Sequence, residues 1–218
     1  MADAKIVLAS HNKGKLKELR EILRGRIDGL DVDTQVVDAS SVNAPDVPET
    51  GVTFAENSLL KARAVAEATG LIAIADDSGL SVDVLNGAPG IFSARWAGRH
   101  GDDTANLNLL LAQLSDIPAE YRGAKFCCAA SVASPKGFEA VEYGELPGEL
   151  LTAPAGEGGF GYDPILRPVE LNGENALYEG QYAGKSCAEI PAEIKNSISH
   201  RARAFEALIP QIAAALAS

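Results

Sequence analysis

Two adjacent carboxylates, Asp76 and Asp77, followed by Ser78 and Gly79, interrupt an otherwise apolar run between Leu71 and Leu85. Residues 71–75 read as a strand buried on both faces that stops at the carboxylates; Ser78-Gly79 reads as a tight turn into a second strand. Burying such charges unpaired costs on the order of several kcal/mol, so each needs water, a cation or a donor. A solvated loop at a strand end meets that need. So does a metal or catalytic site at the strand's carboxyl end, where α/β proteins hold their ligands.

Other stretches carry groups that chemistry could use. Ser10-His11-Asn12-Lys13-Gly14-Lys15 joins the apolar run 5–9 to a helix marked by Leu16, Leu19, Ile22 and Leu23. A loop entering a helix offers backbone N–H groups and a favourable dipole to an anion. Lys13, Lys15, Lys17, Arg20, Arg24 and Arg26 cluster there against Glu18 and Glu21. The Walker phosphate-loop spacing is absent, and a solvated, salt-bridged helix face is the plain alternative. Glu49 lies in a loop framed by Pro45, Pro48 and Gly51. Together with Asp76 and Asp77 it offers the hard oxygens that Mg²⁺ takes alongside substrate phosphates. Gly156, Gly158, Gly159 and Gly161 surround Phe160 and Tyr162. Such a loop lets backbone approach a ligand closely and offers a flat face for stacking; it is not a dinucleotide-binding fingerprint. Ser199-His200-Arg201 opens the last helix, with Ser199 as its N-cap, and could hold a polar ligand edge.

These residues need elements to hold them. A second strand is expected over 30–43 from Val32, Val36 and Val37, with a polar loop after it. Thr53-Phe-Ala-Glu56 has capping-box form and starts a helix whose apolar stripe is Ala55, Leu59, Ala62 and Ala66, closed by Gly70. Asn57 and Lys61 share a different, polar face; Lys61 is either a surface lysine or directed at the same place as Asp77. Asn86-Gly87 is a turn, and Asp102/Asp103 cap a helix with Leu107, Leu110, Leu111 and Leu114. Phe126, Cys128, Ala130 and Val132 alternate on one face of a strand that turns back at Pro135–Gly137, so the sheet is mixed. Residues 168–185 read as a polar excursion. Phe205, Ile209, Ile212 and Leu216 mark a final buried helix.

The whole chain has 218 residues, an apolar share of 46% and a net charge of −11. That size allows one domain or two lobes. The acidity argues against a nucleic-acid binder and against an anionic membrane surface. Cys127, Cys128 and Cys187 form neither a disulfide framework nor a zinc-ligand pattern, which suggests a reducing, cytoplasmic setting. No signal peptide or membrane-length apolar run is read.

Five segments, in order, resemble the inosine triphosphate pyrophosphatase family: Ser-His-Asn-Lys-Gly-Lys (10–15), Pro-Glu-Thr-Gly with Thr-Phe-x-Glu-Asn (48–57), Ala-Asp-Asp-Ser-Gly-Leu (75–80), Gly-Gly-Phe-Gly-Tyr-Asp-Pro (158–164) and Ser-His-Arg (199–201). The run at 87–95 also fits. The resemblance is to the bacterial branch and covers nearly the whole chain. It implies one α/β domain over 1–218, a long mixed β-sheet with flanking helices and two lobes around a central cleft. It implies Mg²⁺-dependent cleavage of ITP, dITP and XTP between the α and β phosphates, and a homodimer. By the same resemblance substrate contacts fall on Ser10, His11, Asn12, Lys13, Gly14, Lys15, Ser78, Phe160, Gly161, Tyr162, Asp163, Lys195, His200 and Arg201. The catalytic acid falls on Asp77, with Glu49 as a further metal ligand. Many relatives have Thr-x-Asn where this chain has Ser-His-Asn, which keeps a hydroxyl and the Asn.

On this reading Asp77 and Glu49 hold the metal and Asp77 orients or deprotonates water. Lys13, Lys15 and Lys61 offset phosphoryl charge. Arg201 or His200 faces a 6-keto oxygen, and Phe160 or Tyr162 stacks on the base. Asp76 is assigned only a supporting place. A Maf-type pyrophosphatase, a non-catalytic nucleotide binder and a phosphatase are the rivals; the Ser-x-Arg-Arg loop of the first is missing.

Overall fold

The structure, a computed structural model, describes residues 4–171, 174–175 and 180–218. A six-stranded sheet has the order β2-β1-β3-β4-β5-β6, with β1 Ile6–Leu8, β2 Val36–Asp38, β3 Ile72–Val82, β4 Gly123–Ala133, β5 Glu139–Leu150 and β6 Leu166–Pro168. β1 runs parallel to β2 and β3, and β5 antiparallel to β6, so the expected mixed sheet with flanking helices is present. A small pair, β7 Glu170–Leu171 and β8 Glu174–Asn175, stands apart from it in the polar stretch expected at 168–185. Residues 172–173 and 176–179 of that stretch lie outside the described residues.

The chain divides into two compact units. The first comprises Met1–Asp77, Cys128–Gly144 and Arg201–Ser218; the second comprises Ser78–Cys127 and Glu145–His200. The long strands β3, β4 and β5 contribute residues to both.

Strand alternation organises the first unit. Ile6, Leu8, Ile74, Cys128, Ala130 and Val132 point to one face. They pack on α1 (Lys13–Leu23) through Leu19 and Leu23, and on α6 (His200–Ala217) through Phe205, Leu208 and Ile212. Val7, Ala73, Ala75 and Ala133 point to the other face, against Ala62, Val65 and Ala66 of α3 (Phe54–Thr69). Alanine meets alanine on that side, with Val7 and Val65 filling the rest. Its buried face carries Asn57, Ser58, Ala62, Val65 and Ala66, which displaces the expected stripe: Ala55 and Leu59 are only half-buried. The reason is polar. Ser58 is fully buried, donates to the Ala75 carbonyl and meets the Ser131 hydroxyl at 2.7 Å. The predicted caps are present: Thr53 accepts from Glu56 N–H, and Gly70 closes α3 in the left-handed region.

Two elements differ from expectation. Over 30–43 most of the anticipated strand is replaced by a short helix, α2 (Val32–Gln35), capped by Asp31, and a 3-10 turn, Ala39–Val42; only Val36–Asp38 pairs in the sheet. Asp31 accepts from Asp33 N–H and Thr34 Oγ1, local bonds that outcompete extension. The larger correction is β3, which does not stop at the carboxylates. It runs unbroken from Ile72 to Val82, and Ser78-Gly79 make no turn. Two cations, Lys15 and Arg201, meet Asp76, so the charge gives the strand no reason to end.

The second unit has its own core. Leu80 and Val82 of β3 meet Leu107, Leu110 and Leu114 in or just after α4 (Asp103–Gln113), with Phe126, Leu146, Tyr162, Ile165, Leu166 and Ile198 of α5 (Ala192–Ile198). The turn at Asn86-Gly87 is present, both residues having positive φ. Among the described residues no helix is long and apolar enough to cross a membrane.

Candidate active site

In the first unit β1 ends at Leu8, paired with Ile74, while β3 continues. Asp76 and Asp77 therefore stand just past the carboxyl end of β1, in the middle of β3. The chain steps from β1 out to β2 and back to β3 on the other side of β1. Open α/β sheets place ligands at such reversals, beyond the strands' carboxyl ends. The loop leaving β1 here is the cationic segment 10–15.

That loop is internally fastened. Asn12 caps α1, its Oδ1 accepting from the N–H groups of Gly14 at 2.8 Å and Lys15 at 3.4 Å; Ser10 Oγ accepts from Asn12 N–H. Part of the anion-binding capacity expected of this helix start is thus taken by Asn12. His11 is exposed and bridges Ser40 Oγ at 3.0 Å and Asp46 at 2.9 Å. Lys13 is exposed. Lys15 turns inward, its Nζ 2.9 Å from each oxygen of Asp76.

Asp76 is the electrostatic hub of this unit. It is only 3% exposed and also accepts from Arg201 Nε at 3.1 Å. Burial opposes its charged form, but Lys15, Arg201 and Lys61 outweigh that and hold the carboxyl far below the usual range. The Arg201 side chain is only 12% exposed, with Glu18 3.8 Å from its guanidinium. The Nε of Arg201 is thus committed to Asp76, and the supporting place first given to Asp76 understates it.

Asp77 faces the opposite way, toward α3. Asn57 donates from Nδ2 to its Oδ2 at 3.0 Å. Lys61, one turn along α3, donates to Glu49 Oε1 at 2.6 Å and to the Asp76 carbonyl at 2.7 Å. Lys61 is no surface lysine: its side chain is 16% exposed. Asp77, Glu49, Lys61, Lys15 and Arg201 are thus gathered in one unit. Among the described residues no set of three or more His, Cys, Asp or Glu is placed to hold a metal. Two carboxylates completed by substrate phosphates and water make a hard-oxygen set of the kind a divalent ion takes, and Asp77 and Glu49 are carboxylates of that chemistry.

The second unit holds a separate polar cluster. Asp163 is buried; its Oδ2 accepts from Lys195 Nζ at 2.8 Å and from Phe160 N–H at 3.0 Å. The Lys195 ammonium lies 4.9 Å from the centre of the Phe160 ring, which is 62% exposed. Gly161 N–H donates to Asp103. Tyr162 is not open for stacking: it is buried in the core, and its hydroxyl donates to the Ser93 carbonyl at 2.9 Å. The flat exposed face belongs to Phe160. His200 is buried and stacks on Phe126 with ring centres 5.1 Å apart. Ser78 lies on β3 with its hydroxyl buried. Ser199, extended at φ −64° and ψ 153°, links α5 to α6. Asn57 and Asp103 are the participants whose roles the sequence reading did not assign. The signal for Asn57 was its place four residues before Lys61; for Asp103 there was none beyond helix capping.

Comparison with known proteins decides the lineage. The model of the Ham1 family matches residues 6–211. This chain belongs to the Ham1 family. A dITP/XTP pyrophosphatase from Streptomyces coelicolor is 61% identical over 95% of this chain and 96% of its own. One from Corynebacterium efficiens with the same description is 49% identical over 96% and 97%. Among solved structures, a Ham1 protein from Coxiella burnetii superposes with a TM-score of 0.81 at 36% identity, covering 96% of this chain and 98% of that one. A nucleoside-triphosphatase / dITP/XTP pyrophosphatase from Mycobacterium abscessus does so at 0.73 and 47% identity, over 94% and 99%. The resemblance drawn from the five motifs and the lineage agree along nearly the full chain.

Proposed function

We propose that this protein hydrolyses non-canonical purine nucleoside triphosphates, ITP, dITP and XTP, to the monophosphate and pyrophosphate, with Mg²⁺ as cofactor. The relatives' described activity supports this. The observation that carries the chemistry is Lys61, its ammonium held between Glu49 and the Asp76 carbonyl on the same helix that reaches Asp77. Phosphoryl transfer asks a protein mainly to position groups and to stabilise charge.

In this proposal Asp77 and Glu49 would hold the divalent ion, which would supply charge neutralisation on the phosphates. Asp77 orients the attacking water and takes its proton. Lys61, Lys13 and Lys15 offset charge on the transferring phosphoryl group and on the pyrophosphate that leaves. Ser10 to Lys15 hold phosphate oxygens. Phe160 stacks on the base, and Lys195, Asp163, His200 and Ser78 define its polar surroundings. A site built to bond a 6-keto oxygen rejects a 6-amino purine by orders of magnitude, because donor would face donor. A homodimer working in the cytoplasm belongs to the same proposal.

Incubation with ITP and Mg²⁺, followed by separate assays for pyrophosphate and orthophosphate, tests it. The expected products are IMP and pyrophosphate in equal amounts. Release of orthophosphate, no reaction, or equal rates on ITP and ATP would refute it.

A further inference from the structure

Gly51 and Asn57 sit six residues apart, at the two ends of the turn that enters α3. Asn57 is only 2% exposed. Its Oδ1 accepts from Gly51 N–H at 2.8 Å, and its Nδ2 donates to Asp77 Oδ2 at 3.0 Å. The amide has one possible orientation. A backbone N–H can only donate, so the atom facing Gly51 is the oxygen, and the nitrogen faces the carboxylate. One side chain therefore ties together the loop that carries Glu49 and the strand that carries Asp77.

Gly51 bears the mark of this contact. Its φ is not positive, so backbone conformation does not demand glycine there. Contact does: a Cβ at position 51 would lie 2.8 Å from Asn57 Oδ1, 2.6 Å from Glu56 Cβ and 3.0 Å from Asn57 N. The loop backbone rests directly on the start of α3. The neighbouring bond of Val52 N–H to Glu56 Oε2, at 2.6 Å, fastens the same turn one residue on.

We propose that Asn57 is a positioning residue for the metal-binding carboxylates, fixing the plane of Asp77 and its register with Glu49, and that Gly51 is glycine because the loop must lie against that amide. This rests on the reading of Asp77 and Glu49 as metal ligands. Partners that orient metal ligands typically contribute tenfold to a hundredfold in affinity or activity.

The test measures Mn²⁺ binding by electron paramagnetic resonance in the presence of the α,β-methylene analogue of ITP, which is not turned over. Asn57→Ala and Gly51→Ala are each expected to weaken Mn²⁺ by about tenfold or more. The double variant should be no worse than the more affected single, because both break one link. Hydrogen exchange at the Gly51 amide should quicken in Asn57→Ala. Asn57→Asp keeps an acceptor for Gly51 but turns like charge on Asp77. It should leave that amide protected and lower kcat on ITP by about tenfold or more. If Asn57→Ala does not fold, Asn57→Asp decides, and a normal kcat overturns the proposal. Wild-type Mn²⁺ affinity in a folded Asn57→Ala overturns it too. Asp77→Asn separates the levels. If it binds Mn²⁺ normally, the metal reading itself fails; if it loses Mn²⁺ while Asn57→Ala does not, only the positioning role falls.

Discussion

Replacing Asp76 with Asn tests the electrostatic hub of the first unit. The change keeps the shape and one acceptor but deletes the charge that Lys15 and Arg201 share. Removing one partner of a buried ion pair costs about 3–5 kcal/mol, because the remaining charge stays desolvated. Two features reduce this. The Lys15 side chain is 25% exposed and regains some hydration, and the asparagine oxygen still accepts one bond. About 2–4 kcal/mol remains. For a chain of this length each kcal/mol lowers Tm by about 2–4 °C, so a fall of roughly 5–15 °C is expected. Calorimetry in EDTA, which removes any metal contribution, reads it directly. The sign with pH follows from the depressed carboxyl. Its contribution is complete above the unfolded value of about 4 and is lost as pH falls toward the lower folded value. The gap between wild type and variant should stay level from about pH 8 to 5 and narrow only below about pH 4. A Tm within 2 °C (roughly 0.5–1 kcal/mol) at pH 7 would refute the hub, as would a gap that closes between pH 7 and 5.

Gly159→Ala meets two penalties, a φ of +72° and a Cβ placed 2.1 Å from Asp163 Oδ2. Gly25→Ala, with a φ of +69° and nothing within 4 Å, meets only the first. By thermal unfolding Gly25→Ala should cost about 1–2 kcal/mol and Gly159→Ala clearly more, with a raised KM for ITP because Asp163 holds the Phe160 loop; equal costs would refute the contact. Burial pushes the Cys127 thiol up to about 11, with Glu145 adding and Lys125 opposing. Its alkylation by iodoacetamide, followed by mass spectrometry, should therefore climb about tenfold per pH unit from pH 8 to 10, and a plateau near pH 9, as for a free thiol, would overturn this.

Much of the site was legible because motif residues hold polar chemistry that core packing does not require. The cationic loop, Glu49 and the Gly-aromatic loop stood out as residue types in unusual company, whereas Lys61 read equally as a surface lysine. The Thr53 cap of α3 and the hairpin at 135–137 depend on local bonds and are found where local patterns put them, though Glu56 returns its bond to Val52 N–H rather than to Thr53. What the sequence could not convey was long-range pairing. Lys15 lies 61 residues from Asp76 and Arg201 lies 125. No local pattern says that two cations will meet a buried carboxylate, so the strand was expected to stop where the charge began. The same blindness hid Ser58 with Ser131, 73 residues apart, and with them the true inner face of α3. Arg122 is a further case: only 2% exposed, it donates to the carbonyls of Ile117, Leu151 and Leu114, closing the C-terminal end of α4 through its guanidinium.

The continuity of β3 also explains why two identical neighbours take different jobs. Successive residues in a strand point to opposite faces. Asp76 shares its face with Ile74, on the side of α1 and α6, and receives Lys15 and Arg201. Asp77 shares its face with Ala73 and Ala75, on the side of α3, and receives Asn57. Had the chain turned at Ser78, as its residues suggest, no such parity would hold and the two carboxylates could compete for one cation. In a continuous strand they cannot. The charge on Asp76 is consumed by internal cations, while its carbonyl holds Lys61, the cation beside Glu49. The backbone of one carboxylate residue thus places Lys61, the lysine proposed to act on the phosphates, near the side chain of the next. A one-residue slip of β3 would exchange both faces at once, presenting Asp77 to the cations and Asp76 to Asn57. That makes the small, alanine-rich packing of α3 on β3, which sets the register, as much a part of the site as the charged residues themselves.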